Sequence, residues 1–98
     1  MKTVYDNTID KAIELLKSRQ YNEAHEHLHC AISIHDYRPE AYNLLGVLYE
    51  KKGDSLKAIR FYRVSYYFDQ SYKPATNNLE RMTDMYRKMR ELIDYGEE

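Results

Sequence analysis

The pattern Ala24-x3-Leu28-x2-Ala31 returns thirty-four residues later as Ala58-x3-Tyr62-x2-Ser65. The same offset carries Ala41-Tyr42 onto Ala75-Thr76 and Leu45 onto Leu79. A unit of this length holds two short helices and cannot bury an apolar face alone, so successive units must stack on one another. Pro39 and Pro74 lie thirty-five apart, one step out of that register, and mark the repeat more loosely.

The spacing of apolar residues supports helices. Ile9, Ala12, Ile13, Leu15 and Leu16 form one stripe, and Tyr21, Ala24, Leu28, Ala31 and Ile32 form another. No stretch alternates as a half-buried strand would. Helices are predicted at 5–18, 21–34, 40–52, 55–68 and 74–94. Pro39 and Pro74 suit a first helical turn, where a missing N–H costs nothing. Gly53 suits a left-handed helix end, and Asp54 or Ser55 can cap the helix that follows. The connections are short, so consecutive helices must run antiparallel.

Composition narrows the function. Fifteen basic residues against sixteen acidic give a net charge of -1, which offers no field for recruiting nucleic acid. No apolar run reaches membrane-spanning length, and the opening residues lack a leader's apolar block. The single Cys30 fits a reducing compartment, so a cytoplasmic location is expected. Eleven tyrosines and no tryptophan mean that buried rings must find partners for their hydroxyls.

Residues 39–72 resemble a tetratricopeptide repeat, whose pattern is Trp-x2-Leu-Gly-x2-Tyr, then Ala-x3-Phe, then Pro. Here it reads Tyr42-x2-Leu45-Gly46-x2-Tyr49, then Gly53, then Ala58-x3-Tyr62, with Gln70 in place of the closing proline. Small side chains at Gly46 and Ala58 would let two helices approach closely, with Tyr42, Leu45, Tyr49 and Tyr62 filling the wedges beside the crossing. Residues 5–38 look like a weaker copy, with Thr8, Lys11 and Arg19 in place of the aromatic, the leucine and the turn glycine. Residues 73–95 look like a closing helix. The resemblance implies an all-α fold: a single domain over 1–98 of about five helices wound as a right-handed α-α superhelix. It also implies a protein–protein interaction module, not an enzyme, holding a peptide or partner protein on its concave face.

Carried over residue by residue, the groove lining would come from Ile9, Ile13, Leu16 and Lys17 in the first repeat and Glu40, Asn43, Val47, Glu50 and Lys51 in the second. Asn77, Asn78 and Arg81 would add to it from the closing helix. Ile13 and Val47 would supply apolar contact. Asn43, Asn77 and Arg81 would orient a peptide through amide hydrogen bonds and a bidentate guanidinium. Relatives that clamp a terminal carboxylate have lysine where this chain has Asn43 and asparagine where it has Val47.

Other constellations read more plainly. His25 and His29 stand four apart on one helix, but no third ligand is near, so no metal or cofactor is expected. The carboxylates lie near lysines and arginines, as solvated helix faces do. Lys57, Arg60 and Arg63 with Tyr66, Tyr67 and Tyr72 raise RNA only as a distant alternative. In the last helix Leu79, Met82, Tyr86, Met89 and Ile93 form a narrow seam. A helix over 74–94 would be about 31 Å long against about 21 Å for the others, and so would overhang the body. Met85, Met89, Leu92 and Ile93 are therefore candidates for self-association, which makes a structural homodimer the alternative function.

Overall fold

A computed structural model describes residues 1–84 and 95–97. Five helices follow one another with no strand among the described residues: α1 (Val4–Lys17), α2 (Tyr21–Ile34), α3 (Pro39–Lys51), α4 (Ser55–Phe68) and α5 (Lys73–Thr83). The first four lie within about two residues of their predicted bounds. Pairs α1–α2 and α3–α4 pack as hairpins, α2 meets α3, and α4 meets α5. The odd-numbered helices also touch in sequence, α1 on α3 and α3 on α5, so they form one layer with α2 and α4 behind it. No described helix is long and apolar enough to cross a membrane.

The thirty-four-residue offset holds in three dimensions. The buried residues of α2 are Ala24, Leu28 and Ala31, and those of α4 are Ala58, Tyr62 and Ser65. The hairpin turns repeat at the same interval. In the first, the Gln20 N–H donates to Leu15 O (2.9 Å) and the Arg19 N–H to Leu16 O (3.1 Å). In the second, Asp54 donates to Tyr49 O (2.8 Å) and Gly53 to Glu50 O (3.0 Å). Both are left-handed helix ends that satisfy otherwise orphaned carbonyls. Gly53 takes φ 88° without cost, whereas Arg19 takes φ 65° against its own Cβ.

The α3–α4 crossing is tight at Gly46, where an added Cβ would lie 2.4 Å from Cδ1 and Cε1 of Tyr62. The ring therefore lies directly over the glycine, and Gly46 and Ala58 both face the core. Tyr42 and Tyr49, expected to flank this crossing, each stack on a phenylalanine of α4. Tyr42 lies 5.1 Å from Phe68 and Tyr49 lies 5.6 Å from Phe61, centroid to centroid.

The buried tyrosines find their partners across helices. The Tyr5 hydroxyl donates to Glu40 Oε1 (3.1 Å) and accepts from the Ala41 N–H (3.3 Å). It thus supplies to α3 the cap that the side chain of Arg38 does not provide. Ser65 Oγ donates to Pro39 O (2.8 Å), so α1 and α4 together hold the start of α3. Two other helix entries are capped by their own side chains: Thr3 and Asp6 form a reciprocal capping box on α1, and Asp54 caps α4 by accepting from the Lys57 N–H (3.1 Å).

The single helix expected over 74–94 is corrected: α5 stops at Thr83, with Asp84 at φ −102°, ψ 66°. Thr83 Oγ1 turns back on Leu79 O (2.9 Å) and Glu80 O (3.2 Å), as Thr8 Oγ1 does on Val4 O (2.8 Å) inside α1. Eleven residues span about 17 Å, shorter than α1, while the overhang was expected of the turns that follow Asp84. Met85, Met89, Leu92 and Ile93 lie outside the described residues.

Candidate docking face

Helices α1, α3 and α5 carry every residue expected to line a groove, and the structure divides those residues into two sets. Ile13, Asn43, Val47, Asn78 and Arg81 are buried. Lys17 and Asn77 are exposed, and Lys51 is half-buried. Ile13 and Val47 belong to the hydrophobic core, on helices α1 and α3 that pack against each other.

The buried polar residues serve each other. Asn78 Nδ2 donates to Asn43 Oδ1 (3.0 Å), joining α5 to α3. Arg81 grips Glu50 with both terminal nitrogens, Nη2 lying 2.6 Å from Oε1 and Nη1 reaching Oε2. Nη2 also donates to Asn78 Oδ1 (3.1 Å), and the Tyr62 hydroxyl donates to Glu50 Oε1 (2.7 Å). The bidentate guanidinium foreseen for a peptide carboxylate thus holds the chain's own carboxylate. The pairing with Glu50 holds the Arg81 guanidinium in its charged form more firmly than usual. Burial first, and then the charge of Glu50, pushes the Tyr62 phenol well above its ordinary range. Arg81 Nε is buried with no acceptor among the described residues.

Lys17 and Lys51 stand thirty-four residues apart, in the last turns of α1 and α3, so stacking of the repeats places them at equivalent points on one layer. Tyr95 sits between them: Lys17 Nζ is 5.1 Å and Lys51 Nζ 5.6 Å from the centroid of its ring. Each such cation–π contact is worth about 0.5–1 kcal/mol at an accessible site. The ring packs half-buried against the core, and Glu97 forms an ion pair with Lys17. Gly96 between them adopts φ 82°, where an added Cβ would meet the Tyr72 hydroxyl oxygen at 2.2 Å.

Compared with protein-family models, with curated proteins and with solved structures, the chain matches none of them.

Beyond Glu97, a cleft of about 510 Å³ opens between the first turns of α1 and α3, walled by Tyr5, Asp6, Ile9, Asp10 and Glu40. Its carboxylates are already engaged. Asp10 pairs with Lys2, Glu40 with Arg38 (3.1 Å), and Asp6 with the Thr3 cap, whose N–H holds the Asp6 carboxyl below its usual range. On α2, His25 and His29 approach to 4.4 Å between centroids, and burial, then the neighbouring His29, lowers the His25 pKa. No group of three metal-ligating side chains forms among the described residues.

The contribution of Tyr95 and Glu97 to this face was not foreseen from sequence. Periodicity assigns both to the end of a helix or just past it. The only signal was indirect: a lone aromatic beside Gly96, outside the spacing of the preceding stripe.

Proposed function

We propose that this chain is a tetratricopeptide-like docking module that holds a short segment of another polypeptide on the face of α1 and α3. The fit of residues 39–72 to the repeat pattern supports the family reading, as does the recurrence of buried positions and turn geometry at thirty-four residues. In this reading the two hairpins and α5 are the beginning of a right-handed superhelix, and the layer of α1, α3 and α5 is its inner surface. Lys17, Lys51 and Asn77 present the polar chemistry, while Ile13, Asn43, Val47, Asn78 and Arg81 form the rigid floor beneath. A preformed surface of this kind lowers the entropy cost of binding.

The observation that carries the reading is a segment already lying there: Tyr95 and Glu97 engage Lys17 and Lys51 across two repeats. The test is selection of a random peptide library on the immobilised chain, in parallel with a Lys17→Glu/Lys51→Glu variant. Peptides enriched on the original and lost on the variant are expected. Identical enrichment on both would remove the face from consideration.

A further inference from the structure

The seat taken by Tyr95, Gly96 and Glu97 specifies what an occupant of this face must carry, an inference that rests on the docking reading above. We propose that the α1–α3 face selects a short acidic peptide of aromatic-glycine-carboxylate pattern, and that the chain's own Tyr95-Gly96-Glu97 competes for the same seat.

Three features define the pattern, each belonging to a different part of the fold. The aromatic position is set by two ammonium groups, Lys17 at 5.1 Å and Lys51 at 5.6 Å from the ring centroid. An aliphatic side chain could fill the volume, but it offers no negative π face to those cations. The pair exists only because one repeat stacks on the next, so neither hairpin alone would make the seat.

The carboxylate position is set by Lys17, which holds Glu97 as an ion pair while also facing the ring of Tyr95. One lysine can serve both groups because the chain bends between them. That bend is the third feature: Gly96 adopts φ 82°, a conformation that other residues rarely take. A side chain at this point would also drive its Cβ onto the Tyr72 hydroxyl, 2.2 Å away, beside Pro74 Cγ at 3.5 Å. The entry to α5 thus reads the middle residue while α1 and α3 read its neighbours.

The bonds that hold the tail are the weak, accessible kind, with Lys17 and Glu97 each about half exposed. Its advantage is proximity, since an attached ligand acts at a high effective concentration without strong contacts. An incoming peptide of the same pattern meets a seat that is largely but reversibly taken.

The probe is an acetylated, amidated, fluorescein-labelled peptide Ser-Tyr-Gly-Glu-Ser. It is titrated by anisotropy against the full chain and against a Tyr95→Ser/Glu97→Gln variant, in which the tail is disabled. The variant should bind about tenfold tighter, as expected for release of a seat nine-tenths occupied. Adding Lys17→Gln/Lys51→Gln should abolish the gain. Probes with alanine for tyrosine, alanine for glycine, or glutamine for glutamate should each bind the tail variant more weakly. Equal affinity for the full chain and the tail variant would overturn the competition, and indifference to all three probe changes would overturn the pattern. Library selection on the tail variant separates this from the docking reading. Enriched peptides lacking the pattern overturn the pattern alone, whereas no enrichment of any peptide overturns both.

Discussion

Replacing Gly46 by alanine tests the helix crossing most directly, because two known effects oppose each other there. Glycine inside a helix costs about 0.8–1 kcal/mol relative to alanine, so across a slack interface the change would stabilise the chain. Here the new Cβ would stand 2.4 Å from two ring atoms of Tyr62 and 3.0 Å from a third. The ring has no room to swing, being fully buried with its hydroxyl donating to Glu50 Oε1 at 2.7 Å. Overpacking costs about 1–3 kcal/mol, and with two atoms overlapped the upper value applies. Gly46→Ala should therefore destabilise by about 2 kcal/mol net. The first repeat supplies the control, since it has Ala12 where the second has Gly46 and Leu28 where the second has Tyr62. In a Tyr62→Leu background the obstruction is gone, and Gly46→Ala should stabilise by about 1 kcal/mol. The coupling is then about 3 kcal/mol with a reversal of sign, read from urea unfolding of the four chains in a double-mutant cycle. If Gly46→Ala has the same sign in both backgrounds, Tyr62 is not what demands the glycine.

Importing Gly53-Asp54 into the first turn, as Arg19→Gly/Gln20→Asp, should relieve the left-handed arginine and supply a missing cap. A gain of about 1.5 kcal/mol is expected, or ~6–12 °C in Tm by calorimetry, and no gain would contradict the equivalence of the two turns. Arg81→Leu strands the Glu50 carboxylate in a buried place and should cost about 3–5 kcal/mol. Glu50→Leu/Arg81→Leu should recover part of that loss in denaturant midpoint, and a double variant no better than the single would deny the ion pair its role. Burial first, then the charges of Glu40 and Glu50, raises the phenols of Tyr5 and Tyr62, so the folded chain keeps protons that the unfolded chain releases above about pH 10. Stability should be complete below that pH and fall above it by about 1.4 kcal/mol per pH unit for each ring. Tyr5→Phe/Tyr62→Phe should flatten that alkaline slope, and an unchanged slope would mean that other groups carry it.

Local chemistry made four of the five helices legible. Pro39, Gly53 and Asp54 act within a few residues of where they stand, and the apolar stripes of α1 to α4 each meet a neighbour that wants them. Gly46 and Ala58 were legible for the same reason, as small residues at a crossing. The end of α5 was not, because Leu79 and Met82 belong to a helical spacing that runs on in the sequence, while the helix stops at Thr83. Periodicity registers the first and is blind to the second. The candidate face was half legible. The repeat pattern pointed to α1, α3 and α5, but it could not distinguish a polar residue lining a surface from one that pairs with another repeat. Asn43, Asn78 and Arg81 look alike in either role until their partners are known.

Those buried pairs explain how α5 finds its place. At the thirty-four-residue offset, Asn78 and Arg81 of α5 correspond to Leu44 and Val47 of α3, which are wholly apolar and buried. An apolar strip tolerates sliding, since one leucine fills much the same volume as the next. A slip of α5 by one turn, about 5.4 Å, would carry Arg81 away from Glu50 and leave two buried charges unpaired. It would also part Asn78 from Asn43, at a further cost of about 1–3 kcal/mol for each amide left without a partner. The polar pairs therefore add little to the depth of the native state while raising its nearest competitors. Docking α5 in a single register is also what keeps Tyr72 and Pro74 beside Gly96, so the geometry of the seat follows from the same pairs.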